Sequence, residues 1–162
     1  MATIREADCS TGIGEIRQLF EEYARSLGID LGFQSFDKEL AGLPGAYSRP
    51  TGCLLFATTG DRSLGCVAVR RLDTEFCEMK RLYIRPEARR EGVGRALAEA
   101  AVAFGRVAGY HAMRLNTLPT MAAAQALYRQ LGFRDVLPYR HNPVPGTSFM
   151  ELVFGSGPSN IT

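Results

Sequence analysis

The segment from Glu78 to Arg95 reads EMKRLYIRPEARREGVGR and carries most of the chain's candidate chemistry. A run of branched and aromatic side chains ends at Ile84, as a strand would. Arg85, Arg89 and Arg90 follow in a short loop, and Gly92-Val93-Gly94 then opens a stretch with helical periodicity. Glycines at a helix start let the backbone come close to a ligand, and the first amides of a helix have no intrahelical partner. The helix dipole and the arginines add positive potential there. This is an anion site, and its size and charge suit a pyrophosphate.

Two familiar phosphate motifs do not fit. The Gly-x-x-x-x-Gly-Lys-Ser/Thr spacing is absent from the sequence. The Gly-x-Gly-x-x-Gly fingerprint fails at its third position, which is Leu97, and no acidic residue stands between Glu99 and Asp135 to hold a ribose hydroxyl. Taken alone, Gly92-Val93-Gly94 would be no more than a capped helix behind an arginine-rich loop.

The segment does not stand alone. Arg89-Arg90-Glu91-Gly92-Val93-Gly94 follows the strand end Leu82-Tyr83-Ile84-Arg85-Pro86, and further on comes Ala124-Gln125-Ala126-Leu127-Tyr128-Arg129-Gln130-Leu131-Gly132-Phe133. In that order these segments resemble the R/Q-x-x-G-x-G/A and A-x-x-L-Y-x-x-L-G-F signatures of the GCN5-related N-acetyltransferase superfamily. The resemblance spans roughly residues 78–137, with the flanks agreeing in element order. It implies an α+β fold: a mixed, mostly antiparallel sheet of about six to seven strands flanked by about four helices. It also implies acetyl transfer from acetyl-CoA to a primary amine, by direct attack in a ternary complex.

The resemblance carries roles for individual residues. Leu82, Tyr83, Ile84, Arg89, Arg90, Gly92, Val93, Gly94, Arg95 and Ala124 would hold the coenzyme, with the amide near Leu82 facing the acetyl carbonyl and the Ile84 amide and carbonyl pairing with the pantetheine arm. Tyr128 matches the family's general acid, which protonates the departing sulfur; the plain alternative is a core tyrosine between Leu127 and Leu131. The family often places an asparagine seven residues before that tyrosine. Here the position is Met121, and Asn116 or Thr117 is the polar substitute nearby. The acceptor pocket of the family is shaped by the first two helices and their connection, which here points to Tyr23, Leu27, Phe33, Gln34, Phe36 and Tyr47. Tyr139, Arg140 and Asn142 would close it, and Arg140 could read a carboxylate on an amino-acid-like acceptor.

The reaction also asks for a base. An alkylammonium must lose a proton before attacking a thioester, which costs about 4.6 kcal/mol at pH 7. Glu78 is the candidate, acting through water, because regular strand alternation puts Glu78, Lys80, Leu82 and Ile84 on one face. A solvated edge glutamate paired with Lys80 or Arg81 is the alternative, and Glu151 is a second candidate base.

The elements that must position these residues can be read from periodicity. Strands are expected at Thr3–Glu6, Leu54–Thr59, Leu64–Arg71, Phe76–Ile84, Met113–Asn116, Phe133–Leu137 and Ser148–Phe154. A helix capped by Ser10 or Thr11 should run to Leu27 and stop at Gly28, a short helix should cover Phe36–Leu40, and longer ones Val93–Val107 and Met121–Leu131. Residues 1–154 read as one acetyltransferase domain and residues 155–162 as a flexible tail.

Composition bounds the rest. With 46% hydrophobic and 22% charged residues among 162, disorder and fibrous classes are excluded. The balance of 19 basic and 17 acidic side chains does not suggest nucleic-acid binding, and Glu87 and Glu91 interrupt the basic run. No apolar stretch approaches a membrane span and no secretory leader opens the chain, so a cytoplasmic protein is expected. Cys9, Cys53, Cys66 and Cys77 lack ligand spacing, and only His111 and His141 could assist them, so no metal is expected. Three of the cysteines, those in apolar runs, read as core fillers. The expected partner is a small-molecule amine, and the chain is expected as a monomer or homodimer. A protein or peptide N-acetyltransferase and a non-catalytic acyl-CoA sensor are the rival readings.

Overall fold

The computed structural model describes residues 2–28 and 35–155. Seven strands and four helices follow one another: β1 (Thr3–Ala7), α1 (Ile13–Leu27), α2 (Phe36–Ala41), β2 (Cys53–Thr59), β3 (Arg62–Arg71), β4 (Phe76–Ile84), α3 (Val93–Val107), β5 (Ala112–Thr117), α4 (Ala122–Gln130), β6 (Arg134–Val136) and β7 (Ser148–Val153). All seven strands form one sheet in the order β1-β2-β3-β4-β5-β7-β6. Only β4 and β5 run parallel; the other neighbours are antiparallel. The mixed α+β sheet expected from the sequence is therefore what forms. Periodicity did not show that β7 inserts between β5 and β6.

The sheet separates two cores. On one face α3 packs Val93, Leu97, Ala98 and Ala101 against Val67, Val69, Cys77, Met79, Met113 and Leu115, and Tyr128 joins them from α4. On the other face α1 packs Ile16, Leu19 and Phe20 against Leu54, Phe56, Cys66 and Ala68. Burial of this size on both faces fixes the register of the central strands, because a slip of one residue would exchange the faces.

The start of α1 differs from expectation. Gly12, with φ of 86°, caps it, and neither Ser10 nor Thr11 does. The Asp8 carboxylate accepts instead from the amides of Ser10 at 2.8 Å and Thr11 at 2.9 Å, making a tight turn ahead of the helix.

Two irregularities in the centre of the sheet make the site. First, β4 and β5 pair only from Phe76–Ala112 to Glu78–Arg114 and then diverge, while β4 stays paired to β3 as far as Ile84 and Gly65. Second, β4 bulges. Cys66 faces Tyr83 and Ala68 faces Lys80, so Arg81 and Leu82 together oppose Val67. Arg81 takes a φ of 62°, a conformation that a long side chain adopts only when its surroundings hold it there.

That bulge overturns the expected alternation. Before it, Glu78 and Lys80 lie opposite Arg70 and Ala68, on the α1 side. After it, Leu82 and Ile84 pack with the α3-side core. The extra residue shifts the pleat by one, so Glu78 and Lys80 do not share a face with Leu82 and Ile84.

Candidate active site

The first cavity is a cleft of about 790 Å³ at the N-terminal end of α3. Its walls include Leu82, Tyr83 and Ile84 of β4, Arg89, Arg90, Gly92 and Gly94 of the loop and helix start, Arg95, and Thr120 to Ala124 at the start of α4. Gly92 caps α3 with φ of 82° and no side-chain partner, and a Cβ there would meet nothing within 4 Å, so the helix start opens onto space. The first intrahelical bond is from the Ala96 amide to the Gly92 carbonyl at 3.0 Å. The amides of residues 93–95 therefore precede the ladder and point out of the helix end. Arg90 also takes a positive φ, of 68°, which helps turn successive amides into a concave nest. A diphosphate fits this cradle.

The sequence-derived coenzyme residues divide on inspection. Val93 turns its side chain into the core, at 4% exposure, which leaves only its amide for a ligand. Arg89 donates its Nε–H to the Ile84 carbonyl at 3.0 Å, so that carbonyl is engaged within the chain. Arg95 reaches Glu99 at 3.1 Å and Gln130 at 3.3 Å across the helix surface. Arg85 does not belong to the anion site: its guanidinium forks onto Glu22 at 2.9 and 2.8 Å, and it anchors β4 to α1. Thr117 is buried and donates to the Met121 sulfur at 3.7 Å, beside the cleft wall. Asn116 is on the other side of the sheet, where Asn142 donates to its Oδ1 at 3.5 Å. Sequence order had placed Asn116 with the coenzyme; the twist of one residue along β5 puts it with the acceptor loop.

Tyr128 is 7% exposed and stands edge-on to Phe133, with ring centroids 5.8 Å apart. It is not among the described residues that wall the cleft, although Ala124, Leu127 and Tyr23 are. Burial pushes its hydroxyl pKa far up, helped by Tyr23, so the phenol keeps its proton at any working pH. Tyr23 itself, expected in the acceptor pocket, lines this cleft instead and packs edge-on to Tyr83 at 6.1 Å.

The second cavity, of about 360 Å³, opens on the α1 side of the sheet. Its walls come from Ser35, Lys38 and Glu39 of α2 and its cap, the turn from Gly42 to Tyr47, Arg70 of β3, Lys80 of β4, and Arg140 to Asn142 of the loop before β7. Lys80 walls this pocket and Leu82 walls the cleft, so the two cavities lie on either side of the bulge. Arg81, the bulged residue, forks onto Glu39 with both contacts at 2.9 Å and lies over the Phe36 ring at 5.1 Å. It thereby ties α2 to the strand. Burial, aided by the neighbouring Arg81 charge, lowers the Lys80 pKa to about 8.

Glu78 lies at the floor of this region with no solvent exposure. Its Oε1 accepts from Arg70 Nε at 2.9 Å and Arg140 Nη2 at 3.0 Å, and its Oε2 accepts from the Tyr139 hydroxyl at 2.6 Å. The expected partners Lys80 and Arg81 are not the groups that bind it. Three of roughly four acceptor sites are taken by two guanidiniums and a phenol, which the carboxylate ties together. Glu151, the other candidate base, is engaged by Arg114 at 2.7 Å. Phe33 and Gln34 lie outside the described residues, as do residues 156–162 of the expected tail.

Sequence reasoning missed Lys38, Arg70, Lys80 and His141 as pocket residues. A partial signal was present for two of them: Arg70 directly follows the apolar run Cys66-Val67-Ala68-Val69, and Lys80 is one of three charged residues, with Glu78 and Arg81, in an otherwise apolar strand. Three of the four cysteines behave as fillers, and Cys9 is exposed. Cys53, Cys66 and Cys77 are buried, and burial pushes the Cys53 and Cys77 thiols up to about 12. Among the described residues no three His, Cys, Asp or Glu side chains gather as a metal site, and no helix is long and apolar enough to cross a membrane.

Comparison with known proteins gives a consistent picture. The profile of the Acetyltransferase (GNAT) family matches residues 14–133. The chain is similar to an uncharacterized N-acetyltransferase of Schizosaccharomyces pombe, with 39% identity over 142 residues, 86% of this chain and 87% of that one. It is also similar to an IAA acetyltransferase of Azospirillum brasilense, 36% identical over 137 residues, 83% of this chain and 87% of that one. Among solved structures, an acetyltransferase from Streptococcus agalactiae shares the fold with a TM-score of 0.77 at 17% identity, covering 94% of this chain and 98% of its own.

Proposed function

The chain belongs to the GNAT family of acetyltransferases, and from that premise we propose that it acetylates the primary amine of a small molecule by direct attack in a ternary complex. Acetyl-CoA supplies the activated thioester. The residues that would hold it are those of the cleft: the amides of Val93, Gly94 and Arg95 with Arg89 and Arg90 at the diphosphate, and Leu82 and Ile84 along the arm. The observation that carries the proposal is the pair of cavities on either side of the β4 bulge, one with an open helix start and one walled by α2 and the 140–142 loop.

Each part of the chain then has a task. The cleft seats the thioester at the strand divergence past Glu78, where β4 lacks a ladder partner on the β5 side. The second pocket orients the amine toward the same strand, so that orientation replaces a bimolecular encounter. Tyr128 supplies the proton for the departing sulfur, consistent with a phenol held protonated by burial. Glu78, with its donors in place, holds Arg70, Arg140 and Tyr139, and the amine attacks in its neutral form. A pocket of about 360 Å³ suits a small molecule better than a peptide. The relative named IAA acetyltransferase supports a small-molecule acceptor.

The test is a screen of small amines and of peptides with free N-termini, each with acetyl-CoA, following release of the free thiol. Turnover of small amines above peptides is expected. Turnover of peptides alone would make the chain a peptide acetyltransferase, and coenzyme binding without turnover of any amine would make it a sensor.

A further inference from the structure

The acceptor pocket has an unusual charge. Lys38, Arg70, Lys80 and Arg140 all reach its wall, and Glu39 is the one carboxylate among the described lining residues. Glu39 is already forked by Arg81, at 2.9 Å on each oxygen. Behind the wall, Glu78 serves both Arg70 and Arg140 through a single oxygen, Oε1. Two guanidiniums are thus held side by side although they repel, and each donates only one N–H to the clamp. A guanidinium has five such donors, so most of each fork is left for another partner. Both side chains keep some solvent contact, at 28% and 29% exposure.

A wall of this kind disfavours an acceptor whose only charge is its ammonium, because every nearby cation raises the energy of a second one. It favours an acceptor that brings a negative group of its own. The coenzyme does not need these cations, since its diphosphate has Arg89, Arg90 and the α3 amides in the other cavity. Planar forks match a carboxylate in a bidentate manner, and the lysine ammoniums add charge without geometry. From Lys80 to Leu82, where the cleft begins, the strand advances by at most roughly 7 Å. A molecule with its carboxylate at Arg70 and Arg140 and its amine a few bonds away spans that distance.

We infer that the acceptor is a small amino acid or a related amine bearing a carboxylate, read by Arg70 and Arg140, with Glu78 as the positioning residue that holds the two forks together. The inference rests on the small-molecule reading above and narrows it to a substrate class.

The experiment pairs acids with amides that carry no carboxylate as acceptors: glycine with glycinamide, β-alanine with β-alaninamide, aspartate with aspartic diamide, and glutamate with glutamic diamide. Initial rates are read as thiol release with saturating acetyl-CoA. In parallel, succinate is titrated calorimetrically into the full chain loaded with CoA, as a carboxylate probe that no acetyl transfer can consume. At least one acid should exceed its amide by about tenfold or more in kcat/KM, through KM. The amide carries the less basic amine, so chemical reactivity alone would favour it. Arg140→Gln should reduce that ratio toward one and weaken succinate by a similar factor, and Arg140→Lys should recover only part, since it returns the charge without the fork. Arg140 sits in a surface loop, and CoA affinity reports whether each variant is folded. Equal kcat/KM for acid and amide in every pair, with small amines still turned over, overturns the carboxylate inference alone. If no small amine is turned over, the small-molecule reading fails, and succinate then decides: binding that Arg140→Gln removes supports a carboxylate site, and no binding overturns it.

Discussion

The coenzyme cleft and the acceptor pocket are neighbours across one strand, and they are built in different ways. The cleft is local. Ile84, the arginine loop, Gly92 and Gly94 follow one another in the chain, and backbone amides do much of the work. The pocket is assembled from afar. Residues 38, 70, 80 and 140 come from four elements; the buried Glu78 joins Arg70 to Arg140, and Glu39 ties α2 to Arg81 of β4. A site made of backbone needs particular residue types at fixed spacing, chiefly glycine. A site made of side chains needs only that its residues meet, and the bulge at Arg81 decides which ones do. On the proposed reading, the fixed site takes the ligand common to the family, and the assembled one is where specificity can change without disturbing the first.

This contrast can be broken by substitution. The largest effect should come from Tyr128→Phe, which removes the proton donor and leaves both cavities in place. Its kcat should fall by about 10²–10⁴ while CoA affinity stays near that of the wild type, measured by steady-state kinetics and calorimetry. A fall of less than threefold would leave Tyr128 as a core residue. Next is Glu78→Gln. If the carboxylate is a clamp, the acceptor KM rises by about tenfold at every pH, and stability drops by about 1–3 kcal/mol because the part-buried Arg70, Arg140 and Tyr139 lose a charged acceptor. If it is instead a base, the loss appears in kcat/KM only below the acceptor's own pKa and shrinks above it. The smallest effect is a pH dependence. Lys80, faced by Arg81, Arg70, Glu78 and Glu39, has its pKa lowered to about 8, and it carries charge below that value and loses it above. Succinate affinity should therefore weaken by a few-fold as pH rises through 8, while the arginines stay charged. A flat calorimetric profile from pH 7 to 9 would remove Lys80 from the site.

The same division explains what the sequence disclosed. The boundaries of β4 and α3 follow from apolar spacing and from the glycine that caps α3, because both are local. Tyr128 and the anion cradle lie in contiguous motifs. Strand pairing is not local, so the placement of β7 between β5 and β6 left no trace in periodicity. Nor did the bulge, since φ of 62° at an arginine has no residue signature. Without it, Glu78 was placed on the face of Leu82 and read as a base. The partners of Glu78 were also out of reach, because Tyr139 and Arg140 stand 61 and 62 positions further along the chain.

The central claim is that coenzyme and acceptor occupy separate cavities, and it is tested most directly by one comparison of CoA affinity. Gly94→Asp places a carboxylate where the diphosphate is held, and its Cβ meets only ordinary contacts, the nearest at 3.4 Å from Ile84 Cγ1, so the fold is preserved. Calorimetry should show CoA binding weakened by about 100-fold in Gly94→Asp and changed by less than about twofold in Arg140→Gln. CoA bound equally well by Gly94→Asp and the wild type, or weakened as much by Arg140→Gln as by Gly94→Asp, would contradict the account.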